Sequence, residues 1–264
     1  MDRKQLLDIL EQIASGRMKP DEGLSVLADF PSAIMEYAHL DTHRRVRRGV
    51  PETVFGQGKT PEQIVGIVGR LSASGDPVLV TRVSETAAAA VLDRWPEADH
   101  DPVSRTLHLG MLPHTGGRRV MVMAAGTSDL PVAEEAARTA VFLGMEVRRG
   151  YDVGIAGLHR LAAHRDEMAE AGVIIVVAGM EGALPGVVAG LVRVPVIGVP
   201  TSIGYGASLA GFTPLLTMLS SCACGLTVVN IDNGYSAAVA AYLILGNAQE
   251  EDPSTGSGAP RGAR

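Results

Sequence analysis

The sequence predicts an α/β fold whose C-terminal half is a parallel sheet covered by helices on both faces, with a smaller α/β unit before it. Apolar runs of strand length alternate with helical stretches from residue 119 onward, and this alternation is typical of right-handed βαβ units. The runs are apolar at successive positions, as strands covered on both faces require. Aromatic residues make up only 4% of the chain, so Val, Leu, Ile, Ala and Met must form the core.

Each strand expected in the C-terminal half is an apolar run bounded by glycine, proline or charged residues. The expected strands are 119–125, 146–152, Val173–Ala178, 194–199 and 226–231. A last helix, 235–245, is apolar on most of its faces, so it is expected to lie either in the core or in a subunit contact.

The N-terminal α/β unit is expected to span residues 1–115 and the sheet domain residues 116–248, while the polar tail 249–264 is expected to be disordered. Thr60-Pro61-Glu62-Gln63 combines an N-cap, a first-turn proline and a capping partner, so it predicts a helix that ends near residue 72. Helices are also expected at 4–15 and 84–93, and short strands at 52–55, 77–83 and 103–109.

The composition argues against several classes of protein. With 29 acidic and 23 basic residues the formal net charge is -6, which argues against a general nucleic-acid-binding surface. The N-terminal segment lacks the apolar core of a signal peptide, and no run of about 18 apolar residues predicts a membrane span. Cys222 and Cys224 are too few and too close for a disulfide framework, so we expect free thiols in a reducing cytoplasm.

The segments that follow the expected strands are the candidate binding loops, because ligands of open parallel sheets bind beyond the carboxyl ends of the strands. These segments are rich in glycine and other small residues, and two of them lead into helix N-termini that suit phosphate groups. The residues expected to bind the substrate are Gly126, Thr127, Ser128, Asp129, His159, Arg160, Gly179, Met180, Glu181, Gly182, Leu184, Pro185, Gly186, Thr201, Ser202, Gly204, Tyr205, Gly206, Asp232 and Asn233.

Each of these segments also has an ordinary structural interpretation, which the sequence leaves open. Ser128 or Asp129 is typical of a helix N-cap. The His159-Arg160 pair at a loop–helix junction could bind a phosphate or a carboxylate, or it could form solvated helix surface. Glu181 could serve acid–base chemistry, or it could be a first-turn acid that the helix dipole favours.

Cys222 and Cys224 lie in a short Ser/Gly segment before the fifth expected strand. A cysteine in such a loop is a better candidate for reactivity than a buried cysteine, which is usually a small hydrophobic residue. A Cys-x-Cys pair can also bind a metal, but no Cys/His pair with the spacing of a zinc site is nearby. The sequence therefore favours a reactive thiol over a metal site.

Taken together, these segments resemble the aminoimidazole ribotide (AIR) carboxylase and mutase family. The resemblance rests on the Gly126-Thr127-Ser128-Asp129 turn, on His159-Arg160 preceded by Leu158 where the family has alanine, and on the core motifs that follow. Those motifs are Ala178-Gly179, Leu184-Pro185-Gly186 and Pro195-Val196-Ile197-Gly198-Val199-Pro200. The match covers about the last half of the chain and implies a three-layer α/β/α domain of the flavodoxin or Rossmann kind, similar to PurE.

Other positions depart from the purine enzymes and resemble the LarB family of nickel-pincer cofactor biosynthesis proteins over nearly the whole chain. They are Glu181, where the purine enzymes carry small residues, Cys222, and the segments 229–234, 40–44 and 55–60. This second resemblance implies an enzyme that carboxylates the pyridinium ring of nicotinic acid adenine dinucleotide with CO2 or bicarbonate and hydrolyses its phosphoanhydride. The products would be pyridinium-3,5-biscarboxylic acid mononucleotide and AMP, in the first step toward the cofactor of lactate racemase-type enzymes.

The resemblance to the LarB family also implies roles for residues and partners. Cys222 is the candidate nucleophile, Glu181 the candidate base, and Asp129 and His159 further candidate catalytic residues, with Arg160 binding phosphate or carboxylate. Mg²⁺ is the implied metal, with Asp129 or Asp232 as candidate ligands, and no organic cofactor is expected. A homo-oligomer is implied as well, and relatives assemble as octamers.

Two alternatives remain open on the sequence. A purine-pathway carboxylase or mutase would share the fold, but its imidazole substrate is already electron-rich and needs no thiol, so Cys222 and Glu181 favour the pyridine substrate. A non-catalytic nucleotide-binding regulator is also compatible, because a fold does not determine a function.

Overall fold

The computed structural model describes residues 3–27, 32–114, 116–117 and 119–250 of the 264-residue chain. The prediction of a disordered tail concerns residues 249–264, and of these residues 251–264 lie outside the part of the chain that the structure describes. Residues 249 and 250 belong instead to the end of the last helix, which runs Gly234–Glu250 and is longer than the sequence predicts.

The N-terminal unit combines short helices with a small mixed sheet. Strands β3 and β4 are parallel, while β4, β6 and β5 pair antiparallel in that order, and β1 and β2 form a separate antiparallel pair. The elements are α1 (Arg3–Ala14), α2 (Pro20–Val26), β1 (Ala33–Ile34), β2 (His39–Leu40), α3 (Arg44–Arg48), β3 (Thr53–Phe55), α4 (Pro61–Ser72), β4 (Val78–Thr81), α5 (Glu85–Arg94), β5 (Asp99–Asp101) and β6 (Thr106–Leu109).

Helix α4 begins and ends where its sequence predicts. The Gln63 N–H donates to the Thr60 hydroxyl over 3.3 Å, and the Thr60 N–H donates to the Gln63 side-chain oxygen over 3.0 Å. This reciprocal pair satisfies two of the amides that a helix N-terminus leaves unbonded. Ile64, Ile67 and Val68 then face the core of the unit.

The C-terminal unit is a parallel sheet with the strand order β11-β10-β9-β7-β8 and helices on both faces, which confirms the predicted fold class. None of the described helices has the length and apolar character that a membrane span needs. The elements are β7 (Arg119–Ala124), α6 (Leu130–Phe142), β8 (Glu146–Gly150), α7 (Leu158–Ala162), α8 (Arg165–Glu170), β9 (Val173–Ala178), α9 (Leu184–Ala189), β10 (Val196–Pro200), α10 (Phe212–Leu219), β11 (Leu226–Val228) and α11 (Gly234–Glu250).

Several strands are shorter than their apolar runs predict, because the backbone leaves the extended conformation early. Asp152 has φ 57°, so β8 ends at Gly150 rather than at 152. β11 stops at Val228, and a turn at residues 231–232, where Asp232 has φ 56°, occupies the expected end of the strand at 231. Arg105 has φ 53°, so β6 begins only at Thr106. Left-handed φ is uncommon for residues other than glycine and is decided by tertiary contacts.

The last helix, α11, lies in the core rather than on the outside of the sheet. Ala237, Ala238 and Ala241 are completely buried, and the helix packs against α6 and β9. Its small side chains let the two helices approach closely over the apolar strands. Of the two interpretations that the sequence left open, the structure favours the core.

Helix α6 joins the two units, because its outer face contacts the N-terminal sheet. Arg138 donates to the Thr106 hydroxyl over 3.0 Å and forms an ion pair with Asp99 at 2.7 Å. The Phe142 ring, which is fully buried, lies 5.5 Å from the ring of His108. His108 therefore stands inside the contact between the units.

Burial lowers the pKa of His108 from its ordinary value of 6.5 to about 4, and the nearby charge of Arg138 acts in the same direction. The folded protein therefore keeps His108 neutral at pH values where the unfolded chain takes up a proton. The resulting stabilisation is complete above about pH 6.5 and is lost as the pH falls toward 4, a difference of about 3 kcal/mol.

We expect His108→Gln to remove this part of the pH dependence. Between pH 7 and pH 4 the free energy of unfolding of the wild type should fall by about 3 kcal/mol more than that of the variant. Urea denaturation followed by circular dichroism at both pH values measures the difference. His39→Gln, at an exposed position of the same unit, is the control and should retain the wild-type slope. Equal slopes in all three proteins would contradict the prediction.

Candidate functional site

A cleft of about 610 Å³ opens at the carboxyl ends of β7, β9 and β10. Four segments form its wall, namely the turn after β7 and the loops after β8, β9 and β10. The residues that line it are Ala125, Gly126, Ser128, Asp129, Gly154, Ile155, Ala156, Arg160, Ala178, Gly179, Met180, Glu181, Ala183, Leu184, Ile203, Gly204 and Tyr205. The glycine-rich segments singled out in the sequence thus meet at one edge of the sheet.

Asp129 is the buried carboxyl group of this cleft, with a relative exposure of 4%. One carboxyl oxygen accepts a hydrogen bond from the Thr201 hydroxyl at 2.7 Å, and the other accepts from the Gly126 N–H at 3.0 Å. Burial raises the pKa of Asp129, while hydrogen bonds from Thr201, Gly126 and the Gly179 N–H oppose the rise. A buried carboxyl group with a raised pKa is suited to general acid–base chemistry.

The loop after β9 approaches the loop after β10 so closely that Gly179 admits no side chain. A Cβ atom there would lie 2.4 Å from the Ile203 carbonyl oxygen and 2.5 Å from the Thr201 hydroxyl. The next residue, Met180, has φ 53°, and its N–H donates to the Ile203 carbonyl over 2.8 Å. Strained backbone of this kind concentrates at functional sites, where surrounding contacts hold it in place.

The structure separates the two members of the His159-Arg160 pair. Arg160 lines the cleft and forms an ion pair with the Asp152 carboxylate. His159 is exposed and is absent from the cleft wall. Of this pair, therefore, Arg160 is the residue that can bind a phosphate or a carboxylate in the cleft of its own chain.

Glu181 lies at the rim of the cleft, where its side chain is exposed to solvent. The preceding glycine and methionine place it at the mouth, close to where α9 begins. Its side chain can therefore reach a ligand in the cleft.

The structure does not bring Cys222 into the cleft of its own chain. Cys222 lies in the loop that joins α10 to the amino end of β11, and it is exposed. In a parallel sheet this loop lies at the amino ends of the strands, the opposite edge from the cleft. Within a single chain the thiol therefore does not share an edge with Gly126, Glu181 and Gly204, as the role of nucleophile implied for Cys222 would require. The thiol is nevertheless on the surface and not in a packed interior.

Other residues expected to bind the substrate support the cleft wall or lie outside it. Thr201 holds Asp129, and the Asp232 carboxylate accepts a hydrogen bond from the Ser202 N–H at 2.8 Å, which fixes the start of the loop after β10. Asn233 lines a different cavity, between the two units. The remaining ones outside the cleft lining are Thr127, Gly182, Pro185, Gly186 and Gly206.

The sequence analysis missed the first residues of the loop after β8, which are Gly154, Ile155 and Ala156. The Gly154 N–H donates to the Ala125 carbonyl over 2.9 Å, and a Cβ atom on Gly154 would lie 2.8 Å from that oxygen. This contact brings the loop against the turn after β7. Its position directly after a parallel strand was the signal that could have identified it.

The described residues do not by themselves form a magnesium site. They contain no group of three or more His, Cys, Asp or Glu side chains that could hold a metal. Both oxygens of Asp129 already accept hydrogen bonds from the protein, and one oxygen of Asp232 accepts from Ser202. Mg²⁺ usually binds one or two carboxylates together with substrate phosphates and water, so a magnesium ion at this cleft would depend on a bound substrate.

Two families match this chain in adjacent regions. Residues 119–254 match the AIR carboxylase family, and residues 32–111 match the LarB/PurE-like N-terminal domain. The first region contains the parallel sheet and the cleft, and the second contains the mixed sheet that packs against α6.

Similar proteins divide into those that match the whole chain and those that match only the sheet domain. The uncharacterized protein MJ0165 of Methanocaldococcus jannaschii is 41% identical over 251 residues, which cover 91% of this chain and 97% of that protein. An N5-carboxyaminoimidazole ribonucleotide mutase of Pyrococcus horikoshii is 37% identical over 135 residues, 48% of this chain and 72% of the mutase. A mutase of the same name in M. jannaschii is 35% identical and covers 48% of this chain and 78% of its own.

Thr201→Val tests whether the Thr201 hydroxyl controls the cleft carboxyl group. Without this donor to the ionised form, the pKa of Asp129 should rise further, so Asp129 should remain protonated to a higher pH. The lost hydrogen bond should also lower the free energy of unfolding by about 1–3 kcal/mol. Carbon-13 NMR titration of the Asp129 carboxyl group measures the pKa.

Thr227→Val is the matched control, because the Thr227 hydroxyl donates to the Val196 carbonyl, away from the cleft. This variant should leave the Asp129 titration unchanged. An Asp129 pKa that is the same in both variants and in the wild type would show that the Thr201 hydrogen bond does not control the carboxyl group.

Proposed function

The chain belongs to the AIR carboxylase family, and from this premise we propose that it carboxylates the pyridinium ring of nicotinic acid adenine dinucleotide and hydrolyses the phosphoanhydride. The observation that carries the proposal is the joining of the carboxylase domain to a LarB/PurE-like N-terminal domain in one chain. M. jannaschii has both a full-length relative of this chain and a separate mutase that matches only the sheet domain. That pairing supports a reaction other than the purine one.

A pyridinium ring is electron-poor, so it does not attack CO2 until a nucleophile has added to it. A thiolate is suited to this step because it is strongly nucleophilic and can later leave. Cys222 and Cys224 are the two cysteines of the chain, and both are exposed. Cys222 is the candidate nucleophile that the resemblance to the LarB family implies.

Because Cys222 lies outside its own cleft, we propose that a second copy of the chain supplies it. Helix α10, which leads into the Cys222 loop, exposes Phe212, Leu216 and Leu219 at relative exposures of 56%, 61% and 63%. These residues form an apolar stripe that is typical of a surface covered by another protein chain. A homo-oligomer that buries this stripe would carry the thiol toward a neighbouring cleft.

The proposed reaction needs no oxidant. The Cys222 thiolate adds to a ring carbon, the ring nitrogen accepts the electron pair, and the resulting enamine carbon attacks CO2. A base then removes the proton from the newly carboxylated carbon, the C–S bond breaks, and the ring regains its aromaticity. One CO2 is consumed and one proton is released.

The cleft residues can take the remaining roles. We assign removal of the ring proton to Glu181, which lies at the rim, and Asp129 is a second carboxyl group deeper in the cleft. Arg160 can bind a phosphate or the incoming carboxylate through paired hydrogen bonds. The N-terminus of α6, which begins next to Asp129, favours an anionic group. No step is assigned to magnesium.

Cys222→Ala should abolish carboxylation of the pyridine dinucleotide, with a loss of at least about 1000-fold, because the nucleophile is removed. Chromatography of the reaction with nicotinic acid adenine dinucleotide and bicarbonate measures the product. Mass spectrometry of the wild type should reveal an adduct on Cys222. Cys224→Ala is the matched control, two positions away and equally exposed, and should keep the wild-type rate. Full carboxylation activity in Cys222→Ala would contradict the covalent mechanism.

A complementation experiment tests whether a second copy of the chain supplies the thiol. Cys222→Ala and Asp129→Asn should each be inactive, but after the two variants are dissociated and reassembled together, mixed oligomers should regain activity. Each mixed pair contains one cleft with both an intact Asp129 and an intact Cys222. Each variant should still bind the dinucleotide. If the mixed oligomers are then as inactive as the two separate variants, the thiol acts within its own chain.

A second candidate function is supported by the names of the partial relatives, which are mutases of N5-carboxyaminoimidazole ribonucleotide. The cleft alone is compatible with that substrate, whose electron-rich imidazole requires no thiol. Turnover of the imidazole nucleotide by Cys222→Ala at the wild-type rate, with no pyridine product from the wild type, would establish this function instead.

A further inference from the structure

A second cavity, of about 350 Å³, lies between the two units at the same edge of the sheet as the cleft. Its size falls in the range of small-molecule sites. The N-terminal unit contributes Arg44, Phe55 and Arg82 to its wall, and the C-terminal unit contributes Glu135, Asn233 and Tyr235. We propose that this cavity binds a purine nucleoside monophosphate group, either as the adenylate half of the dinucleotide or as free AMP. The first of these forms rests on the proposed function.

An arginine over an aromatic ring gives the cavity a surface for a planar heterocycle. The Arg82 guanidinium lies 5.7 Å from the centre of the Phe55 ring, and half of the Phe55 surface is exposed. Arginine and aromatic planes are the usual stacking partners of nucleobases. The Asn233 side chain adds an amide, which can form hydrogen bonds with the edge of a base.

The cavity also has donors for a phosphate group. Arg44 lines it and pairs with Glu52 at 3.3 Å, a contact through one guanidinium nitrogen. Arg82 donates to the Asp232 carbonyl and lies 3.7 Å from Glu135, so these contacts use only part of its five N–H donors. The carboxylate of Glu135 is held in turn by the Tyr235 N–H at 3.3 Å. Its charge is therefore balanced by Arg82 and by the first turn of α11.

Two residues of the cavity wall also carry buried hydroxyl groups. The Tyr235 hydroxyl and the Thr53 hydroxyl are both buried and have no hydrogen-bond partner among the described residues. A buried hydroxyl group without a partner is unfavourable, and native proteins contain few of them. Neither hydroxyl oxygen is accessible from the cavity, so neither is assigned a contact with the ligand.

The cavity and the cleft share a wall. The Asp232 carbonyl accepts a hydrogen bond from Arg82 on the cavity side, and the Asp232 carboxylate accepts from the Ser202 N–H, next to the cleft residue Ile203. Both Arg82 and Asp232 have left-handed φ values, 51° and 56°. The contact is therefore built from two strained residues, as is typical of functional sites. A dinucleotide could place one nucleotide on each side of this wall.

Calorimetric titration of the full-length protein with AMP tests the site. Arg44→Ala removes one charged donor from the cavity wall and should weaken AMP binding by about 3- to 10-fold. Arg82→Ala should weaken AMP binding by about 10- to 100-fold, because it removes a charged donor and a stacking surface. Adenosine and inorganic phosphate should each bind more weakly than AMP.

Arg94→Ala is the matched control, because it removes another arginine–aromatic pair of the same unit, with the guanidinium 4.8 Å from the Trp95 ring. It should leave AMP affinity unchanged. The proposal is overturned if AMP does not bind, if Arg44→Ala and Arg82→Ala bind it like the wild type, or if only the cleft variant Arg160→Ala loses binding.

Kinetics with the dinucleotide separate the two sources of the ligand. If the cavity holds the adenylate half, Arg44→Ala should raise the KM for the dinucleotide by the same factor as the Kd for AMP. If it holds only free AMP, the KM stays constant and inhibition by AMP weakens. Failure of the proposed carboxylation would leave the AMP titration intact, so the two proposals fail independently.

Discussion

The hydrogen bonds around the Asp129 carboxyl group constrain the geometry of the cleft more than any other interaction. Donors from the turn after β7, the loop after β9 and the end of β10 converge on two oxygens that are removed from water. A buried carboxylate requires such donors, because burial without hydrogen bonds is strongly unfavourable. The three segments are therefore held together at one edge of the sheet, and the absence of a side chain at Gly179 allows them to meet.

This network extends beyond the carboxylase-like domain. Next to Thr201, the Ser202 N–H donates a hydrogen bond to the Asp232 carboxylate. The Asp232 carbonyl in turn accepts a hydrogen bond from Arg82 of the N-terminal unit. The N-terminal unit is therefore attached at both ends of its contact, through Arg82 near the cleft and through Arg138 and Phe142 along α6. A domain fixed in this way can take part in ligand binding, whereas the mutases of the same family match only the sheet domain.

The sequence predicted the regular elements best where local and tertiary preferences agree. The run Val173–Ala178 is apolar at every position, and it forms the buried strand β9 with the expected ends. The Thr60 cap predicted α4 because the capping atoms are neighbours in the chain. In contrast, β5 has the sequence Asp-His-Asp, which shows no apolar pattern, and it becomes a strand only because it pairs with β6 at the sheet edge.

The sequence by itself determined the parallel sheet and the edge at which the binding loops lie. Because the carboxyl ends of parallel strands share an edge, it also placed Asp129, Arg160 and Glu181 in one cleft. Only the tertiary structure decided that His159 turns to solvent and that Cys222 lies at the other edge. Side-chain direction on a short helix and the path of a loop depend on contacts between distant segments. The cavity between the units, formed by residues such as Phe55 and Tyr235, likewise exists only after both units have folded and packed.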